Sequence, residues 1–308
     1  MNVLADCATV EDLIISVPLS SIANEWMRSP LKESHVFETF IKKSSGGYRC
    51  VVKPKDDSLA RLHKRLKDFF DKEVLRPHPA VHGFVRKRGH YSNACQHLNA
   101  NAILTIDLAD YFESITSIEV ETTLRDFGAT KEVARAITNV CSYNKVLATG
   151  FSTSPVISNM FFLKLDNLLS NFADDAGLVY TRYADDLTFS GDEVGDDHLE
   201  QITEILHHKR LKVNRKKLRF QRRGKPQVVT GYVVAHPDHP RLSRYFKRRL
   251  RQDLYYAEKF GIEHQAEVLN IEPEDLIEKL KGQINYLMGS ERESALSLRK
   301  KYANLLGR

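Results

Sequence analysis

Apolar positions along this chain recur at helical spacing in some stretches and in short, nearly uninterrupted runs in others. In SLARLHKRLKDFFDKEVL, residues 58–75, Leu59, Leu62, Leu66, Phe69 and Phe70 share one face and a basic set takes the other, which predicts an amphipathic helix. Val10, Leu13, Ile14, Val17 and Ile22 keep roughly helical spacing despite Pro18 and predict helix over 10–28. YRCVVKP follows the Gly46–Gly47 turn and reads as a strand entered from a hairpin. ILTIDL, 103–108, is a short apolar strand ending at an acid, and LVYTRYADDLTFSG, 178–191, has two apolar arms around an Asp pair, the pattern of a hairpin. Helical segments fall near 117–145 and 154–172, and VVTGYVV, 228–234, reads as a third apolar strand. From about 241 the chain is helical, with Leu276, Leu280, Ile284, Tyr286 and Leu287 in the final helices. Strands separated by helices, then a helical tail, predict an α+β fold with a helical appendage.

At 308 residues the chain can bury a substantial core, as one large domain or two to three subdomains. With 42% hydrophobic and 28% charged residues, disordered and collagen-like classes are excluded. The net charge of +6 is unevenly spread, because 207–225 and 241–251 contain no acidic residue. Such runs suit a polyanion, the alternative being a solvated face balanced by acids elsewhere. Cys7, Cys50, Cys95 and Cys141 lie far apart without a CxxC pair and read as reduced structural thiols. The N-terminus has acids where a signal peptide needs basic residues, and no apolar run approaches a membrane span, so a cytoplasmic protein without membrane contact is expected.

Asp185 and Asp186 stand side by side between the arms of the expected hairpin. Adjacent carboxylates repel and lose hydration, which costs stability unless a cation compensates. Magnesium suits the task, because it takes few carboxylates and completes its shell with phosphate oxygens. In a tight turn at least one of the pair can face Asp107, the acid that ends the neighbouring strand. Three carboxylates would then surround two magnesium ions about 3.5–4 Å apart, a geometry that activates an attacking hydroxyl and stabilises a leaving pyrophosphate. Manganese could substitute. Asp56–Asp57, Asp174–Asp175 and Asp196–Asp197 lack these flanks and read as solvated turns.

YADD, 183–186, resembles motif C of reverse transcriptases, and the longer YTRYADDLTFSG is most similar to that of bacterial retron reverse transcriptases. IDLADYFESI, 106–115, resembles motif A, and GFSTSPVISN, 150–159, resembles motif B, in the family's order. Asn93, Ala94 and His97 form the NAxxH pattern, and Val229, Thr230 and Gly231 the VTG pattern, both resembling retron elements. The resemblance runs from about residue 46 to the end. It implies a right-hand polymerase fold, with fingers and palm over 1–238, N-terminal helices in about 1–40, and a helical RNA-binding thumb over 239–308.

The resemblance also implies roles. Asp107, Asp185, Asp186 and Leu108 would hold the metal ions, and Lys217, beside Lys216, matches a lysine proposed to protonate the leaving pyrophosphate. Phe112 falls where the family's steric gate sits, leaving no room for a 2′-hydroxyl; as an alternative, it or Tyr111 is core. Leu108 and Ala109 would offer backbone amides to the triphosphate. Arg49 resembles the clamping arginine of the fingers, with Lys53 assisting and Arg88 as second candidate; any one of these could instead be a solvated or RNA-backbone cation. Thr149 stands before Gly150 where the family carries glutamine, which alters nucleotide contact and leaves the metal ligands intact. Nucleic-acid contacts are expected from Asn93, His97, Ser154, Pro155 and Asn159, from a primer grip of Val229, Thr230, Gly231 and Tyr232, and from Arg244, Lys247, Arg248 and Arg251. The last four lie on RYFKRRLRQDLYYAEKF, 244–260, an amphipathic helix suited to a duplex backbone. His82, His97 and the His207–His208 pair lack further ligands at metal-binding spacing.

The implied activity is RNA-directed DNA synthesis from deoxynucleoside triphosphates. For a retron enzyme the resemblance further implies a cognate structured non-coding RNA (msr-msd), priming from a guanosine 2′-hydroxyl, a branched msDNA product, and a role in bacterial anti-phage defence with a separate effector protein. Two other readings are a group II intron-like reverse transcriptase, for which the region after the VTG strand is short, and a non-catalytic RNA-binding scaffold, which has no use for a costly acidic cluster.

Overall fold

The computed structural model describes residues 3–17, 22–42 and 46–307. The chain divides into two compact units: Met1–Arg86, Ile106–Leu187 and Gly195–Leu218 form one, and Lys87–Thr105, Thr188–Val194 and Arg219–Arg308 the other.

In the first unit, the helix expected over 10–28 is two pieces, Val10–Ser16 and Ile22–Met27; Pro18 lies outside the described residues. Thr9 caps the first piece and forms a capping box with Asp12. The strand Val36–Lys42 pairs antiparallel with Tyr48–Pro54, Ile41 opposite Arg49 and Phe37 opposite Lys53. The helix Asp57–Phe69 starts at Asp56, whose carboxylate accepts from the Ser58 amide at 2.6 Å. It buries Leu59, Leu62, Leu66 and Phe69, then widens into one π-helical turn, Phe70–Val74.

The helical stretch expected near 117–145 is Ser117–Asp126 and Lys131–Cys141, separated at Gly128 with φ 98° and closed by a short hairpin, Ser142–Tyr143 with Val146–Leu147. Asn144 and Lys145 both take positive φ there, which a helix cannot accommodate. The long helix Ser154–Asp175 follows, with Pro155 in its first turn, where a missing amide costs nothing. The expected hairpin is Val179–Tyr183 and Asp186–Gly191, turning at Ala184 with φ 57°. These strands belong to a four-stranded sheet in the order Val179–Tyr183, Asp186–Gly191, Ala102–Asp107, Arg219–Arg222.

In the second unit VVTGYVV is not one strand. Thr230 and Gly231 take φ 44° and 88° and turn the chain, so that Val229 pairs with Tyr232 across a tight antiparallel hairpin, which Arg241–Leu242 extends. The helices Arg244–Phe260, Ile262–Leu269, Pro273–Met288 and Arg292–Lys301 complete the unit. Its core gathers Val229, Tyr232, Leu250, Leu254, Leu280 and Ile284 with Ala94 and Ile103. All four cysteines are free, and among the described residues no helix is long and apolar enough to cross a membrane.

Candidate active site

Asp107 ends its strand with only 8% of its surface exposed. Its backbone carbonyl accepts from the Asn214 amide at 2.8 Å, while its carboxylate accepts from Asn214 Nδ2 at 2.8 Å and Lys217 Nζ at 2.7 Å. The catalytic turn is joined to the same strand end, the Leu108 amide donating to the Asp185 carbonyl at 3.0 Å. Burial raises the Asp185 pKa above the ordinary carboxylate range, and the Asp107 charge adds to it; Arg49 and Lys217 act in the opposite direction. Lys217 is raised in turn, chiefly by its hydrogen bond to Asp107.

Asp107 and Asp185 line one open cavity of about 610 Å³ with Arg49, Phe84, Phe112, Glu113 and Lys217. Asp186, the first residue of the following strand, is exposed. Among the described residues no three of His, Cys, Asp and Glu are grouped to hold a metal ion. Asp185 lies in the turn between Val179–Tyr183 and Asp186–Gly191, whereas Asp186 opens the second strand. The donor set nevertheless fits a cation. Asp185 is unfavourable as an anion beside Asp107, and the ammonium that compensates Asp107 is 44% exposed.

The expectation that Leu108 and Ala109 offer amides to a triphosphate is corrected. The Leu108 amide is spent on Asp185, and the Ala109 amide donates to the Lys212 carbonyl at 2.8 Å. Phe112 stands in the cavity wall, its ring centroid 6.5 Å from that of Phe84. Arg49 reaches the cavity; Lys53, on the same strand, is exposed opposite Phe37, and Arg88 falls in the second unit. The Thr149 carbonyl accepts from the Val52 amide at 2.7 Å, and its hydroxyl donates to Glu113 at 3.4 Å. Gly150, with φ 110°, packs so tightly on Val51 and Val52 that a Cβ would collide with their atoms.

Two motif B positions point inward. Ser154 Oγ donates to the Ala148 carbonyl at 2.6 Å, and Asn159, 2% exposed, donates from Nδ2 to the Gly83 carbonyl at 3.1 Å and accepts from Arg182 at 3.1 Å. Both are scaffold contacts, not nucleic-acid contacts in this arrangement; Pro155 is half-buried beside them.

Of the second unit's candidates, Asn93 and His97 are buried, and His97 Nδ1 lies 2.6 Å from Ser190 Oγ. Val229 and Tyr232 are core, Tyr232 packing against Tyr91 and Tyr286. The Thr230 hydroxyl donates to the His90 carbonyl at 2.9 Å, and Gly231 is exposed. Lys247 is an internal ion pair, 2.9 Å from Glu291, and not a surface cation as expected. Arg244, Arg248 and Arg251 remain exposed at i, i+4 and i+7, one face of their helix.

Asn214, Phe84, Glu113 and Arg182 escaped the sequence reading. Asn214 carried a signal, lying three residues before Lys217 in the basic run, and Arg182 stands inside the quoted hairpin string.

The profile of the family described as "Reverse transcriptase (RNA-dependent DNA polymerase)" matches residues 41–261. The chain is 30% identical over 276 residues to the retron Mx65 reverse transcriptase of Myxococcus xanthus, covering 80% of this chain and 64% of that one. It is 30% identical over 295 residues to the retron Mx162 reverse transcriptase of the same organism, covering 84% and 60%. It is 31% identical over 301 residues to the retron Ec73 reverse transcriptase of Escherichia coli, covering 91% and 90%. The chain thus spans somewhat under two thirds of the two Myxococcus relatives and nearly all of the third.

Proposed function

Since the chain belongs to the reverse transcriptase family, and within it to the retron enzymes, we propose that it copies a structured non-coding RNA into DNA. The observation that carries the reading is the meeting of Asp107 and Asp185 in one cavity with Lys217 and Phe112, where burial and the neighbouring Asp107 charge make Asp185 unfavourable as an anion and an aromatic ring walls the site.

Asp107 and Asp185, with Asp186 and the Leu108 carbonyl, would hold two magnesium ions. When bound, these neutralise charge on the reacting phosphate. The priming hydroxyl loses its proton to solvent as its oxygen forms a bond to the α-phosphorus of a deoxynucleoside triphosphate, and the bond from that phosphorus to the pyrophosphate oxygen breaks. Lys217, which Asp107 holds at 2.7 Å at the cavity wall, would give its proton to the departing pyrophosphate. Arg49 binds the triphosphate, and Phe112, backed by Phe84, excludes a ribose 2′-hydroxyl. Residues 239–308 act as the thumb, and the exposed Arg244, Arg248 and Arg251 follow an RNA stem by its phosphates. The first bond is made from a guanosine 2′-hydroxyl of the cognate msr-msd RNA, giving branched msDNA. The complex works in the bacterial cytoplasm and restrains a separate effector in anti-phage defence.

The test is to purify the protein from its host and extract the bound nucleic acid. A branched species sensitive to both RNase and DNase is expected; plain RNA that magnesium and four deoxynucleotides fail to extend would defeat the retron assignment.

A further inference from the structure

Among the described residues Arg182 is the largest fully buried side chain, and it lies three residues before Asp185. Its guanidinium is gripped by Asp166 of the long helix through two bonds of 2.8 Å, Nε to Oδ1 and Nη2 to Oδ2, and Tyr180 donates to the same carboxylate at 2.8 Å. Arg182 and Asp166 are both inaccessible to solvent. The remaining nitrogen, Nη1, donates to Asn159 Oδ1 and to the Ala184 carbonyl, each at 3.1 Å. Ala184 is the positive-φ residue on which the catalytic turn pivots, and its carbonyl belongs to the peptide that leads into Asp185.

The same residue also binds the segment that carries Phe84. The Arg182 amide donates to the Ala80 carbonyl at 2.9 Å, and its carbonyl accepts from the His82 amide at 2.8 Å. Asn159, held by Arg182, in turn holds the Gly83 carbonyl. Gly83 lies so close to the turn that a Cβ would strike the Ala184 amide and the Tyr183 backbone. Phe84, with φ 60°, follows directly and faces Phe112 in the cavity. One planar, five-donor group therefore touches the turn bearing Asp185 and, through Asn159 and its own backbone, the segment bearing Phe84.

We propose that Arg182, clamped by Asp166, is a positioning residue that fixes the Asp185 turn and the Phe84 segment in a single register, so that cation binding and sugar selection are set together. The inference rests on the polymerase reading of the cavity. A simply structural ion pair would change how much protein is folded. A register-setting pair also changes properties measured per folded molecule. A guanidinium fork is required for this, since lysine offers a point charge that cannot span the Asp166 oxygens and Ala184 together.

The experiment uses the full chain and a primed RNA template, and measures the magnesium concentration for half-maximal extension and the ratio of deoxy- to ribonucleotide incorporation. The wild type is measured first; if it does not extend, the polymerase reading fails rather than this inference. Arg182→Met combined with Asp166→Leu removes both buried charges and leaves none unpaired. It is expected to need roughly tenfold more magnesium and to lose several-fold in sugar selectivity, two quantities insensitive to the folded fraction. Asn159→Ala, which keeps the Asp166 ion pair and the Arg182 bond to Ala184 and removes the Asn159 link between Arg182 and Gly83, covers the case in which the double variant does not fold; it is expected to lose selectivity more than magnesium affinity. Wild-type values of both quantities in the folded double variant, or unchanged selectivity in Asn159→Ala, would overturn the proposal.

Discussion

Replacing Lys217 by Met separates its two roles, because they differ in size. As an ion pair, Lys217 meets Asp107 at 2.7 Å, but the ammonium is 44% exposed. The contact of an exposed pair is offset by hydration and side-chain entropy, leaving a net of about 1 kcal/mol or less. In a chain of 308 residues that moves the melting temperature by roughly 2–4 °C at most. As the acid that protonates pyrophosphate, the same lysine would contribute about 10²–10⁴-fold in rate, or about 3–5 kcal/mol of barrier. The raised pKa also fixes the pH range of the stability term: a cation held by Asp107 stabilises at pH below its unfolded value, and that contribution disappears only as pH rises through the elevated folded value, beyond 10.5. Across pH 6–9 the contribution from the titration of Lys217 itself is therefore constant. The assay pairs thermal melting without metal against single-nucleotide extension on primed RNA at saturating magnesium. A rate within about threefold of the parent would refute the proton-donor role, and a rate loss accompanied by a melting-temperature loss of about ten degrees, well beyond the ion-pair range, would show that the lysine matters through folding.

Further outcomes follow from the same geometry. Asp185→Asn removes a carboxyl whose folded pKa is raised, so the penalty it relieves is fully present above that raised value and absent below about 3.9. In chelator at pH 7 the variant should melt a few degrees higher than the parent, with the gap closing as pH falls toward 4; a lower melting point at pH 7 would contradict the electrostatic account. Phe112→Val should leave deoxynucleotide extension nearly intact while ribonucleotide incorporation rises about 10–200-fold, the range for filling or emptying an apolar contact, and unchanged selectivity would return Phe112 to the core. Replacing Arg244, Arg248 and Arg251 together by Gln should weaken RNA binding and flatten its dependence on salt by about 0.7–0.9 log units per lost cation; an unchanged slope would move the RNA to another surface.

What was legible in the sequence is what burial writes into it. The strands ending at Asp107 and flanking Asp185 are apolar because they are buried, and the Asp57–Phe69 helix announces itself by one apolar face. The strand Val36–Lys42 went unseen because only Val36 of its seven residues is buried, so its exposed Phe37, Phe40 and Ile41 carry no period of two. The VTG segment reads as a strand because its apolar residues are buried, as at Val229, Tyr232 and Val234, or half-buried, as at Val228 and Val233; only Thr230 and Gly231, at positive φ, reveal a turn, and threonine gives no warning of that conformation. At the site, motif order located Asp107, Asp185, Phe112 and Lys217, all of which line one cavity. Hydrogen-bond assignments were beyond it: the amides of Leu108 and Ala109, the hydroxyl of Ser154 and the ammonium of Lys247 find partners that no motif specifies. The Asp166–Arg182 pair joins a helix to a strand, and no local pattern marks which aspartate will meet which arginine.

The most direct test is extension of a DNA primer on an RNA template by the purified chain, with magnesium or with chelator, beside the Asp185→Asn variant. DNA should lengthen only for the parent and only with the metal, while both proteins remain folded and bind the template equally. Equal lengthening by the Asp185→Asn variant, or lengthening in chelator, would show that synthesis does not occur at the carboxylates of this cavity.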